Sequence, residues 1–367
     1  MTNAVGRRTY LDVLRGLAVL VMIEAHVIDS WTRVADRGSS AFGWSLILGG
    51  FGAPLFLFLA GVAIPLSAGS KARKSGEVQR AALAVEKRGL EIFLLAFLFR
   101  IQAFVLSGSS PNAILKVDIL NIMGPSIVAT AFLWGLATSA RSRVFLFATT
   151  TAAIALSTPI VRAFGWLAWL PDPIEGYLRP VPGLTNFSIF PWAAFVPAGA
   201  VTGVLIDRAR TPAAEARLNA GFAVGGALLA AGACAASFLP TPYARSNFWT
   251  SSPSFFFLRT GLMTLAIAVA YAWERRPSAS KRWSPLRLLG QTSLFIYWIH
   301  VEMVYGLIST PLHASMTLRE AWAALGVFCL FMLLCAFLKV RVANWWKRDG
   351  WAVALRGHSS HGAQKQA

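Results

Sequence analysis

Long apolar runs recur throughout this chain. Each is about 20 residues long, the length that an α-helix needs to cross the hydrocarbon core of a bilayer. Only 14% of the 367 residues are charged, whereas about a quarter are charged in soluble proteins. The runs do not alternate polar and apolar residues as the strands of a barrel do. The sequence therefore predicts an all-α, polytopic transmembrane helix bundle.

We predict ten spans and one transmembrane domain over residues 1–346, followed by a basic, partly disordered cytoplasmic tail at 347–367. The span at 143–165 contains Pro159 and is the weakest of the ten. The stretch 166–186 is rich in tryptophan and proline, which indicates an interfacial loop. The ten spans lie near 11–31, 44–68, 89–107, 117–139, 143–165, 187–206, 218–239, 253–273, 286–308 and 320–340.

Lysine and arginine predict the orientation of the bundle. With the N-terminus inside, the inner connections hold 24 of the 34 basic residues, the outer connections hold 7, and the spans hold 3. Positive charge is enriched on the cytoplasmic side of membrane proteins, so both termini should be cytoplasmic. This bias explains the net charge of +18 without a nucleic-acid partner. We expect a multi-pass protein of a bacterial inner membrane.

The first predicted span carries ionisable residues that a purely structural membrane helix would lack. At about 100° per residue, Arg15 and His26 fall on nearly the same face, and Asp12 lies close to it. Glu24 points away from His26. Ionisable groups inside a bilayer are costly and usually functional, so this polar stripe is a candidate site.

Other polar residues fall in the outer half of the predicted bundle. Ser293, Tyr297 and His300 share one face of the ninth span by their spacing. We expect these side chains to meet in one water-accessible cavity near His26. The remaining candidates are Arg100 and Gln102 in the third span, Asp118 and Asn121 at the start of the fourth, Arg259 in the eighth, and Glu302 in the ninth.

Each of these residues also has a structural interpretation. A membrane histidine often forms a hydrogen bond between helices, and Arg15 can extend to the headgroups. An interhelical ion pair is the interpretation that we favour for Arg100 and Asp118. Because histidines, arginines and carboxylates fall at a similar depth, we favour a functional site for the set as a whole.

Several segments, in order, resemble the heparan-α-glucosaminide N-acetyltransferase catalytic-domain family, in its bacterial members. The resemblance covers about residues 7–346. Its opening segment, LDVLRG…H, is also similar to the type-3 acyltransferases. It implies transfer of an acyl group, often acetyl from acetyl-CoA, to an amine or hydroxyl of a sugar-type acceptor. The segments are RRTYLDVLRGLAVLVMIEAH, GGFGAPLFLFLAGVAIPLS, LKVDILNIMG, FPWAAFVPAGAVTG and LGQTSLFIYWIHVEMVYG.

The resemblance has one departure. The lysosomal member carries its catalytic histidine in the outer loop after the first span, where this chain has no histidine between Ser30 and Trp44. His26 stands instead at the position of an important asparagine. Either the catalytic base has moved to His26, or this branch does different chemistry.

The residue types fit acyl transfer without the resemblance. Histidine is an effective general base near neutral pH, and a carboxylate such as Asp118 or Glu302 can orient it. We assign His26 as the base, with Asp118, His300 and Glu302 as further catalytic candidates and His300 in a supporting role. Metal and nucleophile signatures are not present, so no metal is predicted. The predicted substrate- and cofactor-binding residues are Asp12, Arg15, Arg100, Asn121, Arg259 and Tyr297.

Two alternatives to the enzyme remain open from the sequence, a transporter and a structural or assembly membrane protein, and the second leaves the polar residues of the spans unexplained. A polar cavity with histidine and arginine also suits a proton-coupled transporter of a small polar or sugar solute. The second half of the chain does not repeat the LDVLRG stretch, which argues mildly against the repeated halves common in transporters.

The expected partners are the bilayer, an acyl-CoA donor, a glycan-type acceptor and, as an open option, further copies of the chain.

Overall fold

The structure, a computed structural model, describes residues 7–107, 111–276 and 284–346. The part of the chain that it describes is helical, with two isolated β-bridges and no strand. The predicted all-α class is therefore confirmed. In the first half the helices are α1 (Thr9–Trp31), α2 (Ser40–Gly49), α3 (Gly52–Ser75), α4 (Val78–Ser107), α5 (Ile119–Leu136), α6 (Ala140–Ala163) and α7 (Asp172–Leu178).

The second half continues the bundle. Two predicted spans are interrupted here, one between α8 and α9 and one at Thr292, where α12 ends and α13 begins. The predicted tail at 347–367 lies outside the described residues. The helices are α8 (Ile189–Trp192), α9 (Phe195–Arg208), α10 (Pro212–Ala236), α11 (Pro253–Glu274), α12 (Pro285–Gln291), α13 (Ser293–Tyr305) and α14 (Leu318–Trp345).

Helices occur at all ten predicted spans. Within the described ranges, seven helices or merged helix pairs are long and apolar enough to cross a membrane. The segment around Pro159 is one of these seven, since α6 continues through the proline to Ala163. The other three predicted spans correspond to α1, α4 and the α12–α13 pair. The protein is thus an integral membrane helix bundle, while the count of ten and the orientation stay predictions.

The tightest helix pairs meet at glycines. A Cβ added at Gly61 of α3 would lie 1.9 Å from the carbonyl oxygen of Val196, and one at Gly199 of α9 would lie 1.9 Å from that of Phe58. The helices α1 and α12 meet in the same way at Gly16 and Gly290. Backbones approach this closely only where the interface residues are small, as in many membrane helix pairs. Gly61 and Gly199 thus allow α3 and α9 to pack closely.

The predicted inner connections meet at one end of the bundle, which we call the basic end. Arg8 donates to the carbonyl oxygens of Ile206 and Ala209, which joins the start of α1 to the end of α9. Arg287 binds Glu274 across the connection between α11 and α12. These contacts, with a hydrogen bond from Thr9 to Glu274, bring the N-terminal segment, the α9–α10 connection and the α11–α12 connection to one face, as the charge pattern predicted.

The opposite end is closed by the connections that the sequence predicts to be outside. Thr32 forms a bridge with Met316, and Asp36 accepts a hydrogen bond of 2.9 Å from the backbone N–H of Leu318 at the start of α14. That bond, with a second from Arg33, holds the pKa of Asp36 below its ordinary value. The loop after α1 is thereby fixed to the end of the connection before α14.

Candidate functional site

A cavity of about 1490 Å³ runs through the bundle. Its lining includes Lys71 and Arg88 at the basic end and Asp29 and Lys116 at the opposite end. The volume exceeds the roughly 300–1,000 Å³ of common small-molecule pockets. A long ligand could therefore enter from one end while a second substrate enters from the other.

His26 lines this cavity and contacts a second histidine behind it. Its Nδ1 lies 2.9 Å from Nε2 of His300, and the two rings are almost parallel, with an interplanar angle of 8°. His300 is fully buried and does not line the cavity. The pair joins α1 to α13 across 274 positions of sequence.

The backbone decides how the protons of this pair are arranged. Nδ1 of His300 lies 2.8 Å from the carbonyl oxygen of Ile296, which can only accept. His300 therefore carries its proton on Nδ1, and in the neutral ring its Nε2 is an acceptor. Nδ1 of His26 must then donate to it, which leaves Nε2 of His26 with a free lone pair. This is the tautomer that a general base at the cavity wall requires.

Two tyrosines that line the cavity contact the histidine pair. The ring of Tyr305 meets that of His26 edge-on at 5.5 Å, and its hydroxyl donates to Asp29 at 3.2 Å. Tyr297 also lines the cavity, and its hydroxyl has no hydrogen-bond partner among the described residues. The Tyr297 ring lies 6.0 Å from that of His300, and its hydroxyl is an available donor.

Arg100 and Asp118 form an ion pair on the cavity wall, as the structural interpretation predicts. Asp118 is also the N-cap of α5, and Asn186 donates to its Oδ1 at 3.4 Å. Asn121 completes the capping box and donates to the hydroxyl of Tyr177, where burial raises the pKa of the tyrosine. Asn121 does not line the cavity, so its observed role is to hold the start of α5.

The carboxylates proposed to orient His26 form no hydrogen bond with it among the described residues. Asp118 is engaged by Arg100. The side chain of Glu302 lines the cavity without a hydrogen bond to any described residue. The observed partner of His26 is His300. Among these candidates, Glu302 is the side chain most open to a bound substrate.

Arg15 lines the cavity closer to the basic end, which agrees with the shared face predicted for it and His26. Asp12 is buried and accepts from Arg7 at 2.8 Å and from Arg15 at 3.4 Å. Asp12 therefore acts through Arg15, since it does not itself line the cavity.

Arg259 lies behind the cavity wall. Its guanidinium stacks 3.9 Å over the ring of Phe255. A Cβ added at Gly50, the residue that follows α2, would lie 3.1 Å both from Nη2 of Arg259 and from the carbonyl oxygen of Leu46. The cation thus lies next to the negative end of the α2 dipole, which accounts for it structurally.

The part of the chain that carries His26 matches a known family. A family model for the catalytic domain of heparan-alpha-glucosaminide N-acetyltransferase covers residues 7–234, more than half of the chain. The chain belongs to this family. No curated protein is significantly similar to it. Membership in the N-acetyltransferase family supports a membrane acetyltransferase-type function, with an acyl-CoA as the implied donor.

The family match covers only part of the candidate site. His26, Arg15, Arg100 and Asp118 lie within the matched region of the N-acetyltransferase catalytic domain. Tyr297, His300 and Glu302 lie beyond it, on α13. The described residues contain no group of three or more His, Cys, Asp or Glu side chains placed to hold a metal.

Sequence reasoning missed one neighbour of His26. Tyr305 contacts the His26 ring, but its place at the end of an apolar helix gives no signal that separates it from a membrane-interface tyrosine. Asp29 was identifiable only by its spacing of three residues from His26. Of the ten predicted residues, six line the cavity: His26, Asp118, Glu302, Arg15, Arg100 and Tyr297.

Proposed function

We propose that this protein is a membrane acyltransferase in which Nε2 of His26 is the general base. The observation that supports this most directly is the chain of hydrogen bonds from His26 through His300 to the carbonyl oxygen of Ile296. It leaves an unprotonated nitrogen at the wall of a cavity that reaches both ends of the bundle.

Within the site, every bond that forms or breaks and every proton of the proposed step is accounted for. The acceptor nitrogen or oxygen forms a bond to the acyl carbonyl carbon while Nε2 of His26 takes its proton. The carbon–sulfur bond of the thioester then breaks, and the proton passes from His26 to the leaving thiolate. The Tyr297 hydroxyl is positioned on the cavity wall to donate to the transient oxyanion.

The two ends of the cavity suit different substrates. Lys71, Arg88 and Arg15 line the basic half and can attract the phosphates of acyl-CoA. Asp29 and Glu302 line the opposite half beside Lys116 and the Arg100–Asp118 ion pair, and their carboxylates can accept hydroxyl or amine hydrogens from a sugar-type acceptor. The donor would then reach His26 from the predicted cytoplasmic side and the acceptor from the other side.

A second candidate is the proton-coupled transporter. The cavity that reaches both ends favours it, as does Glu24, whose two buried carboxylate oxygens have no hydrogen-bond partner in the described part of the chain. Flux of a sugar into proteoliposomes without acyl transfer would support transport. Release of CoA with formation of an acylated sugar would support the enzyme.

The decisive variant is His26→Ala. Purified protein in detergent is given acetyl-CoA and a panel of sugars and amino sugars, and free thiol and acylated product are measured. We expect turnover to fall by about 10²- to 10⁴-fold, the usual contribution of a general base. The wild-type rate should rise with pH and then level off, because only the neutral ring accepts a proton.

The matched control is His313→Ala. His313 lies at the same end of the bundle, outside the cavity, and contacts the carbonyl oxygen of Val304 at 3.0 Å. This variant should keep turnover. If folded His26→Ala protein transfers acyl groups at the wild-type rate, the base lies elsewhere, and Asp118 and Glu302 become the first alternatives.

A further inference from the structure

A second, smaller cavity of about 270 Å³ lies at the basic end, separate from the large cavity. The ends of α3, α5 and α9 and the starts of α4 and α6 form its walls. Four arginines and one aspartate line it, together with small apolar side chains and the ring of Trp134. The charged residues are Arg73, Arg143, Arg208, Arg210 and Asp207.

The charge of this pocket is unbalanced. Arg73 binds Asp207 with two hydrogen bonds, of 2.8 and 2.9 Å, so these two neutralise each other. Arg208 and Arg210 are exposed and have no ion-pair partner among the described residues. Together with Arg143 they give the lining an excess of three positive charges.

Arg143 is held in place with its terminal nitrogens free. Its guanidinium stacks 3.9 Å from the centre of the Trp134 ring, and Nε donates to the carbonyl oxygens of Trp134 and Ala137, each at 3.1 Å. Neither terminal nitrogen has an acceptor within the described ranges. A fixed guanidinium with two free donors matches the oxygens of a phosphate group.

We propose that this pocket binds the headgroup of an anionic phospholipid in the leaflet at the basic end. Basic pockets between membrane helices are typical sites for such headgroups. The apolar side chains of Pro65, Val78 and Val204 in the same lining suit the glycerol and the first carbons of the acyl chains. A free phosphate would use the arginines but not this apolar wall.

The proposed lipid would support the large cavity from outside. Pro65, Gly69 and Ala72 on one face of α3 line the pocket, whereas Ser67 and Lys71 on the other face line the large cavity. A bound headgroup would therefore brace the helix that forms part of the cavity wall. The proposal does not depend on the acyl-transfer chemistry.

Native mass spectrometry of the full-length protein, titrated with phosphatidylglycerol or with phosphatidylcholine, tests the site. We expect phosphatidylglycerol to bind more tightly. Arg143→Gln with Arg208→Gln should weaken its binding roughly 30-fold, since each basic residue near an anionic surface contributes about fivefold. Arg210→Gln alone, at an exposed position, should weaken it about fivefold and is a second variant if the double variant does not fold.

The matched control is Arg217→Gln with Arg341→Gln. Both arginines are exposed, lie at the predicted cytoplasmic side, and do not line the pocket. The control removes the same charge and should leave phosphatidylglycerol binding unchanged. Equal weakening in the control, equal binding of phosphatidylcholine, or displacement of the lipid by inorganic phosphate or CoA at equal concentration would overturn the proposal.

Discussion

Among the predicted site residues, the structure adds most to the interpretation of His300. It does not face substrate, yet it fixes which nitrogen of His26 carries a proton. Under the proposed function, His300 is a positioning residue. Its removal should affect the protonation state of the base more than the binding of the acyl donor.

The first prediction compares His300→Gln with His300→Leu. A glutamine side chain offers an oxygen that accepts from Nδ1 of His26, so this variant should keep measurable turnover, with weaker use of the acceptor. Leucine has no acceptor, and we expect it to lose a further five- to tenfold, the worth of about one net hydrogen bond. Turnover and its pH profile are measured for both variants.

The comparison separates positioning from packing. If His300 serves only to fill space, the two variants should show the same pH profile as the wild type, because His26 would keep its tautomer without a partner. Complete loss of activity in folded His300→Gln protein would instead indicate that His300 performs the chemistry, and would reverse the ranking of the two histidines.

At the residue scale, helical periodicity placed Arg15 and His26 on one face correctly, and both line the cavity. The partner of His26 could not be predicted in the same way. His300 lies 274 positions away on another helix, and no single-helix pattern shows that α1 and α13 pack together. The surroundings of Arg259 could not be predicted either, because its position behind Gly50 depends on where α2 ends.

The helices themselves are held together by glycines that leave no room for a side chain. A methyl group at Gly199 would lie 1.9 Å from the carbonyl oxygen of Phe58, which is fixed in the backbone of α3. A glycine of α10, Gly221, has nothing within 4 Å of the same added atom. One substitution can therefore have opposite effects on two helices.

The second prediction is that Gly199→Ala lowers the free energy of unfolding by about 1–3 kcal/mol, the usual cost of overpacking. Gly221→Ala should be neutral or stabilising by up to about 1 kcal/mol, because alanine favours a helix more than glycine does. Thermal unfolding in detergent measures both. Equal stability of the two variants would show that α3 and α9 can separate without cost.

At the element scale, the sequence predicted where each span lies because apolar length is a local property. It did not predict that three spans would be interrupted, at Gly50–Phe51, between α8 and α9, and at Thr292. The breaks at Gly50–Phe51 and at Thr292 have no proline at their centre. The breaks matter for function, since Gly50 and Ser293 both line the large cavity.

At the scale of the whole molecule, charge predicted which connections share a face, and the contacts at the basic end agree with it. The continuous cavity was beyond sequence reasoning, because it is the space that several helices leave between them. Its direction across the membrane decides which substrate enters from which side. The orientation is therefore the whole-molecule property most worth measuring.

The last prediction concerns that orientation. In a variant without the three native cysteines, Arg245→Cys and Lys74→Cys are each exposed, at opposite ends of the predicted bundle. A membrane-impermeant maleimide should label Arg245→Cys on intact cells and reach Lys74→Cys only after permeabilisation, because the basic end should be cytoplasmic. The reverse pattern would place Lys71 and Arg88 outside the cell. Acyl-CoA, which is cytoplasmic, would then first meet the half of the cavity lined by Asp29 and Glu302, and the proposed assignment of donor and acceptor to its two ends would fail.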